Sequence, residues 1–295
     1  MKKVLLLTGT TGFIGQNLLK FIEVNYEKDY EIVLLSSAVN ENYKTVLHKN
    51  YTFNKQDFEK NCILKVDIVL HIGAFTPKSG IEANDINKSN ANIFNTKYLL
   101  DNLPNFPEKF IFLSTIDVYG KIETIIDESS FTNPLTMYGW SKLYCEKLLE
   151  NWSKENNIIL QILRIGHIYG KGEKAYKKVI PVTIQKLRNG ENPQIFGTGY
   201  EKRSFLHVDD ASNLIMKSIL LRKYEGVINL CSSNSYTIKN IVEMLIEISN
   251  KKVQIDYIET ENRGVDFEFD TSKMNKLLGY EKVNIMEGLK NEYNG

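Results

Sequence analysis

Three cysteines in 295 residues, Cys62, Cys145 and Cys231, are too few and too scattered for a disulfide framework, and no Cys-x-x-Cys pair occurs. They read as small buried apolar side chains, and a reducing cytoplasm is the expected compartment. Long apolar runs are missing as well. Nothing approaches the roughly 18–20 apolar residues that span a bilayer. The opening Val4–Leu7 run breaks into Thr8-Gly9-Thr10-Thr11-Gly12 too soon for a signal-peptide core. Nor is there an excess of charge: 37 Lys plus Arg stand against 36 Asp plus Glu. That balance gives neither nucleic acid nor an anionic membrane an electrostatic reason to be the main partner. No internal repeat or low-complexity segment is present. No carboxylate–histidine cluster has ligand spacing, so no metal is expected.

What is there is ordinary globular material, 42% hydrophobic and 25% charged. Short apolar runs at Lys3–Leu7, Glu31–Leu35, Val66–His71, Phe110–Ser114 and Ile158–Leu163 read as strands. They are too continuously apolar to be half-exposed, which predicts a parallel sheet covered on both faces. Segments of helical period fall between them, at Gly12–Val24, Ile81–Leu103 and Met137–Asn156. The alternation predicts an α/β fold, a Rossmann-type doubly wound parallel sheet. Beyond Gly170 the rhythm loosens. Arg188–Gly199 reads as turn-rich loop around one short strand, and helices are expected at Val208–Leu221, Thr237–Ile248 and Ser272–Leu277. We expect the Rossmann domain over 1–170 with a returning segment near 204–230. A smaller α+β substrate-binding domain would take 171–203 and 231–295.

Between the first strand and the first helix lies Gly9-Thr10-Thr11-Gly12-Phe13-Ile14-Gly15. Glycine permits a tight turn, close approach to a pyrophosphate and close packing of helix on sheet. An ordinary turn can hold as many glycines; the position at the head of a βαβ pattern favours dinucleotide binding, by Gly9, Thr11, Gly12, Phe13, Ile14 and Gly15. Strand two ends in Ser36-Ser37, with no acid before Glu41. Without a carboxylate to grip the NAD ribose, these serines point to NADP(H), with NAD(H) as the alternative and Lys44 as a more distant cation.

Tyr138 and Lys142 are four apart on a helix and share a face. An ammonium beside a phenol favours phenolate, which suits Tyr138 to acid–base work on a hydroxyl. The same spacing at Tyr51 and Lys55 lacks such surroundings. Thr115, at the end of strand five, stands where doubly wound sheets bind ligands and is placed to hydrogen-bond a reacting oxygen.

The chain resembles the extended short-chain dehydrogenases/reductases of the nucleotide-sugar epimerase/dehydratase group. The resemblance rests on TGTTGFIG at 8–15, DIVLHIGA at 67–74, NIFNT at 92–96, STIDVYG at 114–120, YGWSK at 138–142, RIGHIYGKG at 164–172, RSFLHVDD at 203–210 and RGVDFEFDTSK at 263–273. It implies a catalytic Thr115, Tyr138 and Lys142, with Tyr138 and Lys142 also touching the cofactor. It implies substrate contacts from Asn92, Thr115, Arg203 and Arg263, the two arginines on a diphosphate, and a homodimer. Family dehydratases carry Thr-Asp-Glu where this chain has Thr115-Ile116-Asp117. Isoleucine cannot deliver a proton to a departing hydroxyl, so 4,6-dehydration is not expected.

Other residues read more plainly. His71 and His207 lie in apolar runs and are expected as satisfied core histidines. Lys174–Lys178 is expected as a solvated face, and Asp209 and Asp210 as helix caps. The expected activity is reduction of a nucleotide-linked 4-keto-hexose by NADPH. The alternatives are an NAD-dependent 4-epimerase resembling UDP-glucose 4-epimerase, and a catalytically silent dinucleotide-binding regulator.

Overall fold

The computed structural model describes residues 2–120, 125–173, 177–260 and 266–295. The chain runs through β1 (Lys3–Thr8), α1 (Phe13–Tyr26), β2 (Tyr30–Ser36), β3 (Lys44–Leu47), α2 (Lys55–Lys60), β4 (Ile68–His71), α3 (Gly80–Ala83), α4 (Ile86–Asn102), β5 (Lys109–Thr115), α5 (Met137–Glu155) and β6 (Ile159–Ile165). It continues as β7 (His167–Tyr169), α6 (Val179–Asn189), β8 (Gln194–Phe196), β9 (Lys202–His207), α7 (Val208–Ser218), β10 (Val227–Leu230), β11 (Ser235–Thr237), α8 (Ile238–Ser249), β12 (Asp256–Ile258), α9 (Ser272–Leu277) and α10 (Ile285–Asn294).

Seven strands form one sheet in the order β10-β6-β5-β4-β1-β2-β3, every neighbour parallel. Consecutive residues of a strand point to opposite faces. Leu5, Leu6 and Leu7 are all fully buried, so both faces are covered. One face packs on α1 and α7 through Leu18, Ile22, Leu214 and Ile215. The other packs on α4 and α5 through Leu99, Leu100, Cys145 and Leu149. Strand order reverses between β1 and β4, which opens a crevice at their carboxyl ends. A second core, around Tyr169, Phe205, Leu187, Ile241 and Leu289, lies among α6, α8, α10 and the small sheet β11-β9-β7.

Several elements depart from their sequence expectations. The helix expected at Ile81–Leu103 is broken after α3, and Asp85 starts α4 by accepting from the Lys88 amide at 3.0 Å. The first residues of the expected Arg188–Gly199 loop instead finish α6, which stops at Gly190 in the left-handed region. Neither Asp209 nor Asp210 caps α7. His207 Nδ1 accepts from the Asp209 amide, while Asp210 accepts from the backbone amides of Lys282 and Val283 at 2.9 and 2.8 Å. Cys145 and Cys231 are buried as expected, but Cys62 is exposed, carried outward by a left-handed turn after α2.

Helix α5 meets the sheet with an unusual face. Tyr138, Lys142 and Glu146, each four residues on, are all turned inward. The Glu146 carboxylate is held by Arg164 of β6 at 2.8 and 3.0 Å and by the Ser114 hydroxyl at 2.5 Å, and both charges are almost fully buried. Removing one partner of such a pair strands the other charge in a dry interior. Glu146→Ala is therefore expected to cost about 3–5 kcal/mol of folding stability. Urea unfolding would measure it, and a loss below about 1 kcal/mol would mean water reaches Arg164.

Candidate active site

The crevice floor is built by glycines from two strand ends. Gly9, after β1, takes φ +74°, and a Cβ on it would lie 2.5 Å from the backbone of Gly73, after β4. A Cβ on Gly15 would lie 2.1 Å from the Gly9 carbonyl, so α1 starts tight against the turn. Thr8 Oγ1 accepts from the Gly73 amide and meets His71 Nδ1, both at 2.9 Å. His71 Nε2 lies 3.1 Å from the Thr96 hydroxyl of α4. Burial, with a smaller push from Lys142, lowers the His71 pKa to about 3. It is a satisfied core histidine that joins the glycine turn to α4. Thr11 and Gly12 are exposed at the lip, and Phe13 and Ile14 are half-buried. Such a cradle, which side chains would fill, fits a pyrophosphate lying across the start of α1.

At the end of β2, Ser36 is buried and its hydroxyl accepts from the Ala38 amide at 3.1 Å, while Ser37 is exposed. Lys44 is not available to this end. It opens β3 beside Val33 and donates to Glu31 at 2.8 Å, toward the amino end of β2.

Thr115, Tyr138 and Lys142 converge at the end of β5. Thr136 caps α5 by accepting from the Gly139 amide at 3.1 Å. A Cβ on Gly139 would stand 2.3 Å from the Asp117 carbonyl, so only glycine lets this first turn touch the chain that follows β5. Tyr138 is buried, its ring edge-on to Phe75 with centroids 6.3 Å apart. Lys142 Nζ donates to the Leu113 carbonyl at 2.5 Å and lies 4.1 Å from the centre of the Phe112 ring. Burial pulls its pKa down to about 8, against the opposing charge of Glu146. Thr115 Oγ1 donates to the Asp117 carboxylate and accepts from its amide, each at 3.2 Å. Asp117 opens into the crevice. The surrounding protein raises its carboxyl pKa, while the Thr115 hydroxyl and the Lys178 charge act the other way.

Asn92 belongs to the support of this site. Its side chain bonds the Phe75 amide at 2.7 Å, the Phe75 carbonyl at 3.3 Å and the Ser141 hydroxyl at 3.1 Å, which leaves its amide facing protein. Arg203, on β9, is half-buried over Phe267, 5.3 Å from the ring centre. Arg263 lies outside the described residues, as do Lys174, Ala175 and Tyr176.

Four further groups shape this site. Glu146 continues the four-residue step from Tyr138 and Lys142, a signal that was readable. Gly139 sits inside the quoted YGWSK, but its contact with Asp117 is tertiary. Lys178 is more than a solvated face, since its ammonium lies 3.0 Å from the buried carboxylate of Glu173. His167, in β7, has a buried Nδ1 with no hydrogen-bond partner.

Known proteins share this fold. The family model described as the NAD dependent epimerase/dehydratase family matches residues 5–231. A dTDP-D-glucose 4,6-dehydratase of Dictyostelium discoideum is 31% identical over 275 residues, 83% of this chain and 62% of that protein, so the chain spans under two thirds of its length. A dTDP-4-dehydro-6-deoxyglucose reductase of Escherichia coli is 28% identical, covering 90% of this chain and 88% of that one. The fold superposes with a TM-score of 0.86 on a UDP-glucuronic acid 4-epimerase of Bacillus cereus, solved with UDP-glucuronic acid and NAD. That protein is 24% identical, with 99% of this chain and 98% of the other covered. With the family model matching most of the chain, this protein belongs to the NAD-dependent epimerase/dehydratase family.

Proposed function

We propose that the protein reduces the C4 ketone of a nucleotide-linked hexose, with an NAD(P)H that exchanges at each turnover. The observation that carries this reading is the convergence of Thr115, Tyr138 and Lys142 at the crevice, with Ile116 where an expelling acid would stand. Tyr138 gives its phenolic proton to O4 as the ketone becomes an alcohol, and recovers it from solvent. Lys142, desolvated but charged near neutrality, favours the phenolate left behind. Thr115 and Tyr138 together orient O4. Gly9, Thr11, Gly12, Phe13, Ile14 and Gly15 hold the pyrophosphate of the cofactor, whose reduced nicotinamide supplies the hydride for C4. Arg203 holds the substrate diphosphate.

The end of β2 supports exchange over retention. An enzyme that keeps one cofactor through a full epimerising cycle gains from a carboxylate clamped on the ribose. Here Ser36 is committed to Ala38, Ser37 is exposed, and the sequence offers no acid before Glu41. The Escherichia coli reductase similarity agrees with the same reading.

Tyr138→Phe removes one oxygen and keeps the packing ring. Turnover is expected to fall at least about a hundredfold with cofactor affinity unchanged. Steady-state rates and a cofactor titration measure both; a loss within about tenfold would remove Tyr138 from proton transfer.

Arg203→Ala is expected to weaken nucleoside diphosphate binding tenfold or more, since a charge-assisted contact is worth roughly 1.5–3 kcal/mol. NAD(P)H affinity should not move. Calorimetry with unchanged diphosphate affinity would take Arg203 out of the site.

NADPH is expected to bind at least as tightly as NADH, because no carboxylate repels a 2′-phosphate. The preference is small, because Lys44 faces the other way. Titration with both reduced cofactors tests this. NADH binding more than about tenfold tighter, roughly 1.4 kcal/mol, or NAD+ released on denaturing the purified protein, would favour a 4-epimerase instead.

A further inference from the structure

The small sheet carries a polar group that the reading above leaves unused. His167 of β7 pairs in register with Phe205 of β9, and Arg203 lies two residues earlier on β9. Residues two apart on a strand share a face, so His167, Phe205 and Arg203 stand side by side. The imidazole is boxed by Phe205 and Phe267, with ring centroids 5.9 and 5.7 Å away. Its Nδ1 is buried without a hydrogen-bond partner. An orphaned buried nitrogen costs about 1–3 kcal/mol, so a native structure that keeps one calls for a reason.

The surroundings supply the reason. Burial holds the ring neutral, and Arg203 on β9 and Lys178 at the head of α6, both near enough to act on it, push the same way. Lys178 is in turn balanced by Glu173, whose second oxygen, Oε2, is also buried and unpartnered. Asp117, from the end of β5, faces the same lysine. Helix α6 begins beside Lys178, and among the described residues no side chain caps its first amides. Two cations, the start of α6 and a buried orphan nitrogen thus flank one space where the small sheet meets α6, with Glu173 and Asp117 as counter-charges to Lys178 and Glu201 and Asp266 as counter-charges to Arg203. A dianion suits that space, because it meets both positive charges and the helix end together.

We propose that His167 is a substrate-binding residue, which faces the diphosphate of the nucleotide sugar between Arg203 and Lys178 and takes up a proton when that diphosphate binds. The inference rests on the nucleotide-sugar reading and deepens it. In the free protein burial, and after it the two cations, oppose an imidazolium. A bound diphosphate diester brings two negative charges beside the ring, reverses the local field and gives the protonated nitrogen an acceptor. Binding and protonation then favour each other, by linkage. Substrate affinity therefore rises as pH falls, over the range between the histidine's free and bound titrations.

The test is calorimetry of UDP-glucose and dTDP-glucose on the whole protein, in buffers that differ in ionisation enthalpy. Both probes are diphosphate diesters with no phosphate titrating near neutrality, so proton uptake reports on the protein. Wild type is expected to take up part of a proton at about pH 7. Its affinity should rise by up to about tenfold per pH unit from about pH 8 to about pH 6. His167→Asn is expected to bind with no uptake and a flat pH profile. His167→Phe keeps the aromatic packing and is expected to lose uptake and bind at least about fivefold more weakly, with NAD(P)H affinity retained. Wild-type binding without uptake would overturn the proposal. So would uptake that persists in His167→Asn, which would assign the proton to Glu173, and wild-type affinity in His167→Phe. Failure of wild type to bind either probe would instead overturn the nucleotide-sugar reading itself.

Discussion

Helix α5 carries three ionisable groups on the face it presses to the sheet, and the rest of the site depends on how that face is held. A helix normally turns an apolar stripe to its core. Here Lys142 and Glu146 are buried as deeply as Leu149. The arrangement is tolerable because Glu146 finds Arg164 and Ser114, while Lys142 finds the Leu113 carbonyl. Each partner lies on β5 or β6, so the charges that would repel the helix from a dry sheet instead fix its rotation and height. At the helix start, the missing side chain of Gly139 lets backbone meet backbone at Asp117. Two anchors about two turns apart leave Tyr138 and Lys142 little freedom relative to Thr115.

The crevice opposite is held by a second polar thread. Thr8, His71 and Thr96 run from the end of β1 through β4 to α4, and the Gly73 amide joins the first of them. Helix α4 then reaches the catalytic side through Asn92, which bonds both the Phe75 backbone and Ser141 of α5. The glycine turn and the tyrosine helix are thereby connected through side chains that are all buried. The glycine turn and the start of α5 are set by one continuous piece of interior.

Much of this was legible in the sequence, for a physical reason. Strands buried on both faces must be apolar at nearly every position, so β1, β2, β5 and β6 announce themselves, and the chain order of a doubly wound sheet follows. Tyr138 and Lys142 were legible because helical spacing is local. What escaped was tertiary or short. Lys44 stood in the sequence as a distant cation for the cofactor, because sequence distance hides strand direction; it opens β3 beside Val33 and turns back to Glu31. Three-residue strands such as β7 and β11 have too few positions to show alternation, which left His167 and its neighbours unread. Asp209 and Asp210 fit the rule for helix caps, yet α7 follows β9 so directly that His207 takes the place. Asp210 is turned instead toward the chain at Lys282 and Val283.

The two neutral histidines also set a limit on acidity. His71 and His167 are each held near pKa 3, first by burial and then by neighbouring positive charge. In the unfolded chain each would accept a proton near pH 6.5. Their depressed native pKa values therefore favour folding above that pH, and the advantage fades as pH falls toward the native values. One of these rings secures the glycine turn and the other stands in the second core's sheet. Acidification below about pH 6.5 thus pulls on both halves of the molecule through the same equilibrium.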